Sequence, residues 1–243
     1  MNSNQEKILI SLRAGNINEM FINSKFQEHI TVQKLGYLFL PTGNIIANDP
    51  LCLFEFEPFE KCVPPGKYPV VLYIHHIDDD CRVAFAEIRF SENTPVSYEL
   101  ALTKQQNNQR LIDDKYFGYG VDSGTGCFMD KEACNALEEL VKDIDDGMLP
   151  ELNDMLNKSY VYTYSTANFT LPNSNNNFVV FSSGYGDGCY PSFWSYDEKG
   201  DLCSLITDFM TIDDEEQNKT QAKIKPVKKS FFDNIKNMFR RTK

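Results

Sequence analysis

Apolar and polar positions divide the chain into distinct textures. Over 3–24, Ile8, Ile10, Leu12, Ile17, Met20, Phe21 and Ile22 recur at loosely helical intervals, and Gly15 separates two short helices. From 35 the pattern tightens: L-G-Y-L-F-L and I-I-A-N-D-P flank P-T-G-N, which predicts a hairpin of two short strands. V-P-P-G at 63–66 is a turn that launches Y-P-V-V-L-Y-I-H-H-I. After three aspartates comes C-R-V-A-F-A-E-I-R-F, so these β-branched and aromatic runs predict a second, longer hairpin. At period two Val83, Phe85 and Glu87 share one face, which offers Glu87 as a half-buried carboxylate. A strand over 96–102 and a polar loop over 104–109 follow.

Asp130 then caps a helix whose Ala133, Cys134, Leu137, Leu140, Val141 and Ile144 fall at helical spacing, with Gly147 at the C-cap position. Pro150 opens a second helix with Leu152, Met155 and Leu156 as its buried stripe. Strands over 160–171 and 178–181 flank the turn-rich P-N-S-N-N-N. A last hairpin, S-F-W-S-Y against L-C-S-L-I-T-D-F-M-T-I, turns at Lys199-Gly200. Strands on both sides of one helical pair predict an α+β fold: a mostly antiparallel β sandwich or half-barrel with a central helical pair packed to one side. The expected organisation is a helical segment over 1–30, a single α+β domain over 31–214, a charged linker over 215–229 and a basic amphipathic helix over 230–243.

Charge changes this picture. The net charge of −11 conceals an asymmetry: residues 219–243 carry nine Lys/Arg against Asp233 alone, which leaves 15 basic and 34 acidic residues before them. An acidic body argues against binding a nucleic-acid backbone and suits a basic protein partner, or serves as a plain solubilising surface. In the tail, Phe231, Phe232, Ile235, Met238 and Phe239 share one helical face amid lysines and arginines. That face suits an anionic membrane surface, a protein groove or the acidic body of the same chain. Residues 217–243 are expected to be separable from the fold. No apolar run reaches about eighteen residues and no signal-peptide pattern opens the chain, so the expected location is cytoplasmic, with peripheral membrane contact through the tail. The seven cysteines are odd in number and form no C-x-x-C pair, which points to free thiols.

Two glycine-rich stretches stand out. Y-F-G-Y-G-V-D-S-G-T-G-C-F-M-D at 116–130 and F-S-S-G-Y-G-D-G-C-Y-P at 181–191 repeat the order Gly-Tyr-Gly, Asp, Gly-Cys-aromatic. Gly118, Gly120, Gly124, Gly126, Gly184, Gly186 and Gly188 are seven of the thirteen glycines in the chain. Their matching order predicts that the two stretches are neighbours in space.

Several of these segments resemble a known family, the bacterial domain of unknown function family 4241. The resemblance rests on P-T-G-N-I-I-A-N-D-P, V-P-P-G-K-Y-P-V, R-V-A-F-A-E-I-R-F, the two glycine stretches and I-T-D-F-M at 206–210. It covers roughly 35–213 in the family's order. It implies domain limits and carries no catalytic residue.

The candidate site lies between the glycine stretches: Asp122 and Asp187, with Asp49, Glu87 or Asp208, form a carboxylate set able to hold a divalent cation or do acid–base work. The plainer reading makes Asp122 and Asp187 acceptors for loop amides, and expects Asp187 to tolerate Ala less well than Asp197 or Asp201. V-D-S-G-T-G resembles the phosphate loops of actin-like and sugar-kinase ATPases, without the βαβ alternation those need. Cys127 and Cys189 are candidate nucleophiles, and His75 and His76 candidate bases, of which one at most enters a given site. No cofactor is expected beyond that cation. The composite reading is an acidic binding protein of the kind that neutralises a basic partner, as immunity proteins do; the alternative is a metal-assisted hydrolase around Asp122 and Asp187.

Overall fold

The structure, a computed structural model, describes residues 17, 28–52, 57–106, 117–145 and 147–212. The chain divides into two units, Met1–Ile212 and Asp213–Lys243, and the second lies outside the described residues. So do the expected N-terminal helices apart from Ile17, the linker, and the apolar face from Phe231 to Phe239.

Twelve strands and two helices make up the described fold. In chain order they are β1 (Ile30–Leu40), β2 (Ile45–Asn48), β3 (Gly66–Ile77), β4 (Asp80–Arg89), β5 (Ser97–Leu100), β6 (Tyr119–Val121), β7 (Thr125–Asp130), α1 (Lys131–Val141), α2 (Pro150–Ser159), β8 (Thr166–Thr170), β9 (Asn177–Ser182), β10 (Gly188–Tyr190), β11 (Ser192–Tyr196) and β12 (Leu202–Asp208). A six-stranded sheet has the order β1-β3-β4-β12-β11-β5, a four-stranded sheet the order β2-β7-β9-β8, and β6 and β10 form a separate ribbon. The strand pairs are antiparallel throughout.

Alternation of side chains sorts the core into layers. Leu38, Val70, Leu72, Ile88, Trp194 and Leu205 of the large sheet meet Ile45, Phe128, Val179 and Phe181 of the small one. The opposite face of the small sheet, including Ile46, Cys127, Met129, Phe178 and Val180, packs under Ala133, Leu137, Val141, Leu152 and Leu156 of the helices. Each buried aliphatic side chain there contributes roughly 1.5–3 kcal/mol, which fixes the helical pair on one side of the sandwich. The far face of the large sheet carries Val71, Tyr73, Phe85, Phe193 and Ile206, together with the buried Ile17. The α+β sandwich is therefore the one the hydrophobic pattern predicts.

Several local expectations change. The P-T-G-N turn closes no hairpin: β1 pairs with β3 while β2 pairs with β7, so the turn carries the chain from one sheet to the other. Gly43 makes this corner, at φ +71, where a Cβ would lie 1.8 Å from the Val63 carbonyl oxygen. Val83 does not share a face with Phe85 and Glu87. The register jumps from Tyr73↔Phe85 to Ile74↔Val83, leaving Ala84 as a bulge that turns Val83 toward the sandwich interior. Helix α1 ends at Val141 with Lys142 as its C-cap, so Gly147, at φ +68, belongs to the connection rather than to the cap. The strand expected over 160–171 is confined to Thr166–Thr170. The β3–β4 and β11–β12 hairpins form as the pattern predicts, the latter with Gly200 at φ +83 in its turn.

Candidate functional site

The two glycine stretches meet. Tyr119, Gly120 and Val121 of β6 face Tyr190, Cys189 and Gly188 of β10, and β7 pairs with β9 from Thr125↔Ser182 onward. Ser183 N donates to Gly124 O at 3.0 Å, closing the gap between the pairs. Glycine is needed where backbones crowd: a Cβ on Gly118 would lie 2.5 Å from the Tyr190 carbonyl, and one on Gly184, at φ +55, 2.7 Å from Phe209 O. Tyr190 Oη donates to the Gly186 and Ser183 carbonyls, at 2.7 and 3.1 Å, and so ties down the second loop.

Asp122 and Asp187 each lie one residue beyond the last pair, Val121↔Gly188, at the same end of the ribbon; both are exposed. Neither carboxylate accepts the loop amides. Asp49 does that work instead: it is fully buried, and accepts from Asp122 N at 2.9 Å, Ser123 N at 2.7 Å, Ser123 Oγ at 2.7 Å and Leu51 N at 2.9 Å. The carboxylate that shapes the first glycine loop thus comes from the end of β2.

The other candidates have structural partners of their own. Glu87 is buried on the large sheet, where it accepts from Tyr73 Oη at 2.6 Å and Arg89 Nε at 2.7 Å. Burial, then the Glu87 charge, pushes the Tyr73 phenol well up. Asp208 closes β12 and accepts from Met210 N at 2.7 Å. Asp130 is the helix cap that the sequence predicts, accepting from Glu132 N at 2.9 Å; it also takes the Thr42 amide and hydroxyl, which fastens the sheet-crossing corner. Among the described residues no group of three or more His, Cys, Asp and Glu is placed to hold a metal ion.

Burial works against both cysteines expected as nucleophiles. Cys127 is fully buried, and desolvation pushes its thiol well above the ordinary range. Cys189 is exposed as a residue, yet desolvation raises its thiol too. His75 is lowered by burial and faces the Thr211 carbonyl at 3.2 Å. The phosphate-loop reading finds no support, since V-D-S-G-T-G carries the chain from the β6–β10 ribbon into β7 of the four-stranded sheet rather than from a strand into a helix, and its amides at Asp122 and Ser123 already bind a carboxylate.

Beside the ribbon a cleft of about 310 Å³ opens between β2, residues 101–106 and the glycine strands, lined among others by Asn48, Phe59, Thr103, Tyr119, Tyr190 and Ser192. Pairing that no local pattern signals brings these residues together. Asp197, expected to tolerate Ala better than Asp187, is buried and well bonded: it accepts from Lys199 N and Asp201 N, both at 2.9 Å, and Asn93 Nδ2 at 2.7 Å.

No curated protein and no solved structure matches the chain. A family model described as Protein of unknown function (DUF4241) matches residues 38–207, from the end of β1 through nearly all of β12. That span holds the four-stranded sheet, the six-stranded sheet apart from most of β1, both helices and both glycine stretches, and the chain belongs to the DUF4241 family.

Proposed function

We propose that this chain is a non-catalytic binding protein that masks a basic protein partner, as an immunity protein masks a toxin domain. The observation that carries this reading is the outward side of the helical layer. Glu132, Glu138, Glu139, Asp143, Glu151 and Asp154 are all exposed there, against Lys131, Lys142 and Lys158. Lys142 is already committed to Glu139 at 2.7 Å. Leu140 and Met155, 38% and 37% exposed, stand among these acids and supply the apolar contact that charge alone does not give. Complementary charge speeds encounter and selects against acidic competitors, and its effect weakens as salt rises.

The test is titration of the full chain with small basic and acidic proteins of matched size. Association with the basic set alone, weakened by salt and lost in the triple variant Glu138→Lys, Glu139→Lys, Asp154→Lys at unchanged melting temperature, supports the reading. Equal association with the acidic set, or indifference to the triple variant, refutes it. A metal-assisted hydrolase would need a third ligand beside Asp122 and Asp187, and among the described residues no group of three or more His, Cys, Asp and Glu is so placed.

A further inference from the structure

One constellation on the six-stranded sheet joins His76, a candidate base, to a thiol that is not among the candidate nucleophiles. Across the β3–β4 hairpin His76 and Cys81 are register partners, and Cys81 Sγ lies 3.3 Å from His76 Nδ1. On the other side of the ring, His76 Nε2 lies 2.6 Å from Thr31 Oγ1 on the edge strand β1. If Nε2 carries the proton and donates it to Thr31, Nδ1 presents its lone pair to the thiol. The imidazole is held further by its own backbone, since His76 N donates to His29 O at 2.8 Å. This is the nucleophile, base and orienting group of a thiol poised for attack.

We propose that Cys81 is a reactive thiol that His76 activates and Thr31 positions, and that it takes a low-molecular-weight disulfide as its co-substrate. In the step, Cys81 gives its proton to His76 Nδ1 as the sulfur attacks one sulfur of the disulfide. A mixed disulfide forms on Cys81, the original S–S bond breaks, and the departing thiolate takes a proton from the imidazolium or from water. The Cys81 sulfur rises by one oxidation unit and the departing sulfur falls by one, so the exchange needs no other oxidant or reductant.

The surroundings favour this thiol over the others. His76 is exposed and Cys81 half-buried, so a small disulfide can approach. The neighbouring Asp80 carboxylate does not bear on the sulfur unopposed. It holds Arg82 Nε at 2.6 Å, Cys81 N at 2.8 Å and the Thr163 hydroxyl. From the connection after α2, Thr163 N donates to Cys81 O at 3.3 Å and fixes the backbone, while burial, and then Cys81, raises the Tyr164 phenol. Cys52 and Cys134, by contrast, are pushed up to about 12 by burial and by neighbouring carboxylates. Cys62 is the natural comparator, an exposed thiol bonded to the Asn44 amide oxygen at 3.0 Å with no imidazole.

The experiment treats the full, reduced chain with glutathione disulfide, quenches at intervals and maps each cysteine by mass spectrometry. A positioned base contributes roughly 10²–10⁴-fold to proton transfer, and at a surface site the low end applies, so Cys81 should react at least about tenfold faster than Cys62. His76→Gln should bring Cys81 down to the rate of Cys62 and leave Cys62 unchanged. Thr31→Val should slow Cys81 by a smaller factor, and it replaces His76→Gln as the decisive variant if the latter does not fold. In urea the contrast should vanish. Equal rates at Cys81 and Cys62 in the folded chain, no effect of the decisive variant, or a contrast that survives unfolding would each overturn the proposal.

Discussion

Replacing Asp49 with Ala should be among the most damaging single changes to a carboxylate in this fold. Its side chain takes five donors, three of them backbone amides; leaving aside the weak contact from the Cys52 thiol at 3.5 Å, the other four bonds sum to about 4 kcal/mol at a typical net value near 1 kcal/mol each. Asp122 and Ser123 are exposed, so water can reach part of what is vacated, and the expected loss falls to about 3 kcal/mol. For a domain of this size that lowers the melting temperature by roughly 6–12 °C. Asp49→Asn should cost about half as much. One orientation keeps an acceptor for the paired amides of Asp122 and Ser123, and sets the amide nitrogen against Leu51 N–H and a hydroxyl that can turn to accept. The assay is urea unfolding of Asp49→Ala, Asp49→Asn and Asp187→Ala side by side, with hydrogen exchange read at the amides of 122 and 123. The exposed Asp187 should stay within about 0.5 kcal/mol of the parent. A midpoint for Asp49→Ala within that margin, or an Asp187→Ala loss as large, would refute the assignment of the loop to Asp49.

Three further outcomes follow from the same geometry. Gly126→Ala should cost about 1–3 kcal/mol, because the new Cβ would meet Tyr119 Oη at 2.7 Å and the Phe181 ring at 3.2 Å; Gly120→Ala, with nothing within 4 Å, should be nearly silent sterically. Tyr119 Oη is buried without a well-formed hydrogen bond, so Tyr119→Phe alone should be close to neutral and should reduce the Gly126→Ala cost in the double variant; unchanged cost in that cycle counts against the clash. Asp197 is held below the usual carboxylate range, first by the Asp201 amide and then by Lys199 N and Asn93, so its contribution is present above that range and is lost as pH falls through its folded value. Urea midpoints measured from about pH 6 down to about pH 3 should therefore fall less steeply for Asp197→Asn than for the parent, and parallel slopes would exclude the effect.

Local chemistry was legible wherever partners lie close in sequence. Asp130 caps the helix that begins beside it, with its bond to Glu132 spanning two residues, and the β3–β4 and β11–β12 hairpins each close on their own turn. The 35–50 hairpin failed for a physical reason: two strands joined by a tight corner pair only if neither finds a better neighbour. Here β1 finds β3 along nine positions, while β2 is drawn to β7. Period-two reasoning at Val83 failed because one bulged residue, Ala84, inverts every face before it.

The candidate site shows the same division between near and far. Repeated Gly-Tyr-Gly order correctly implied that the two stretches adjoin, because matched glycines allow close backbone approach, and the β6–β10 register confirms it. Which aspartate serves those loops was not legible. A carboxylate inside a glycine loop and one at a strand end look alike in sequence, and the bond that distinguishes them joins residues 73 positions apart. Asp49 wins because β2, pairing with β7, ends directly beneath the loop that precedes that strand, whereas Asp122 and Asp187 sit at the tip, where water meets their needs. His76 and Cys81 were separable from the other histidine and thiols only by register. Once the hairpin turns at 78–79, the pairing that sets His76 opposite Cys81 also sets His75 opposite Arg82, and it is the former pair that lies within reach of Thr31.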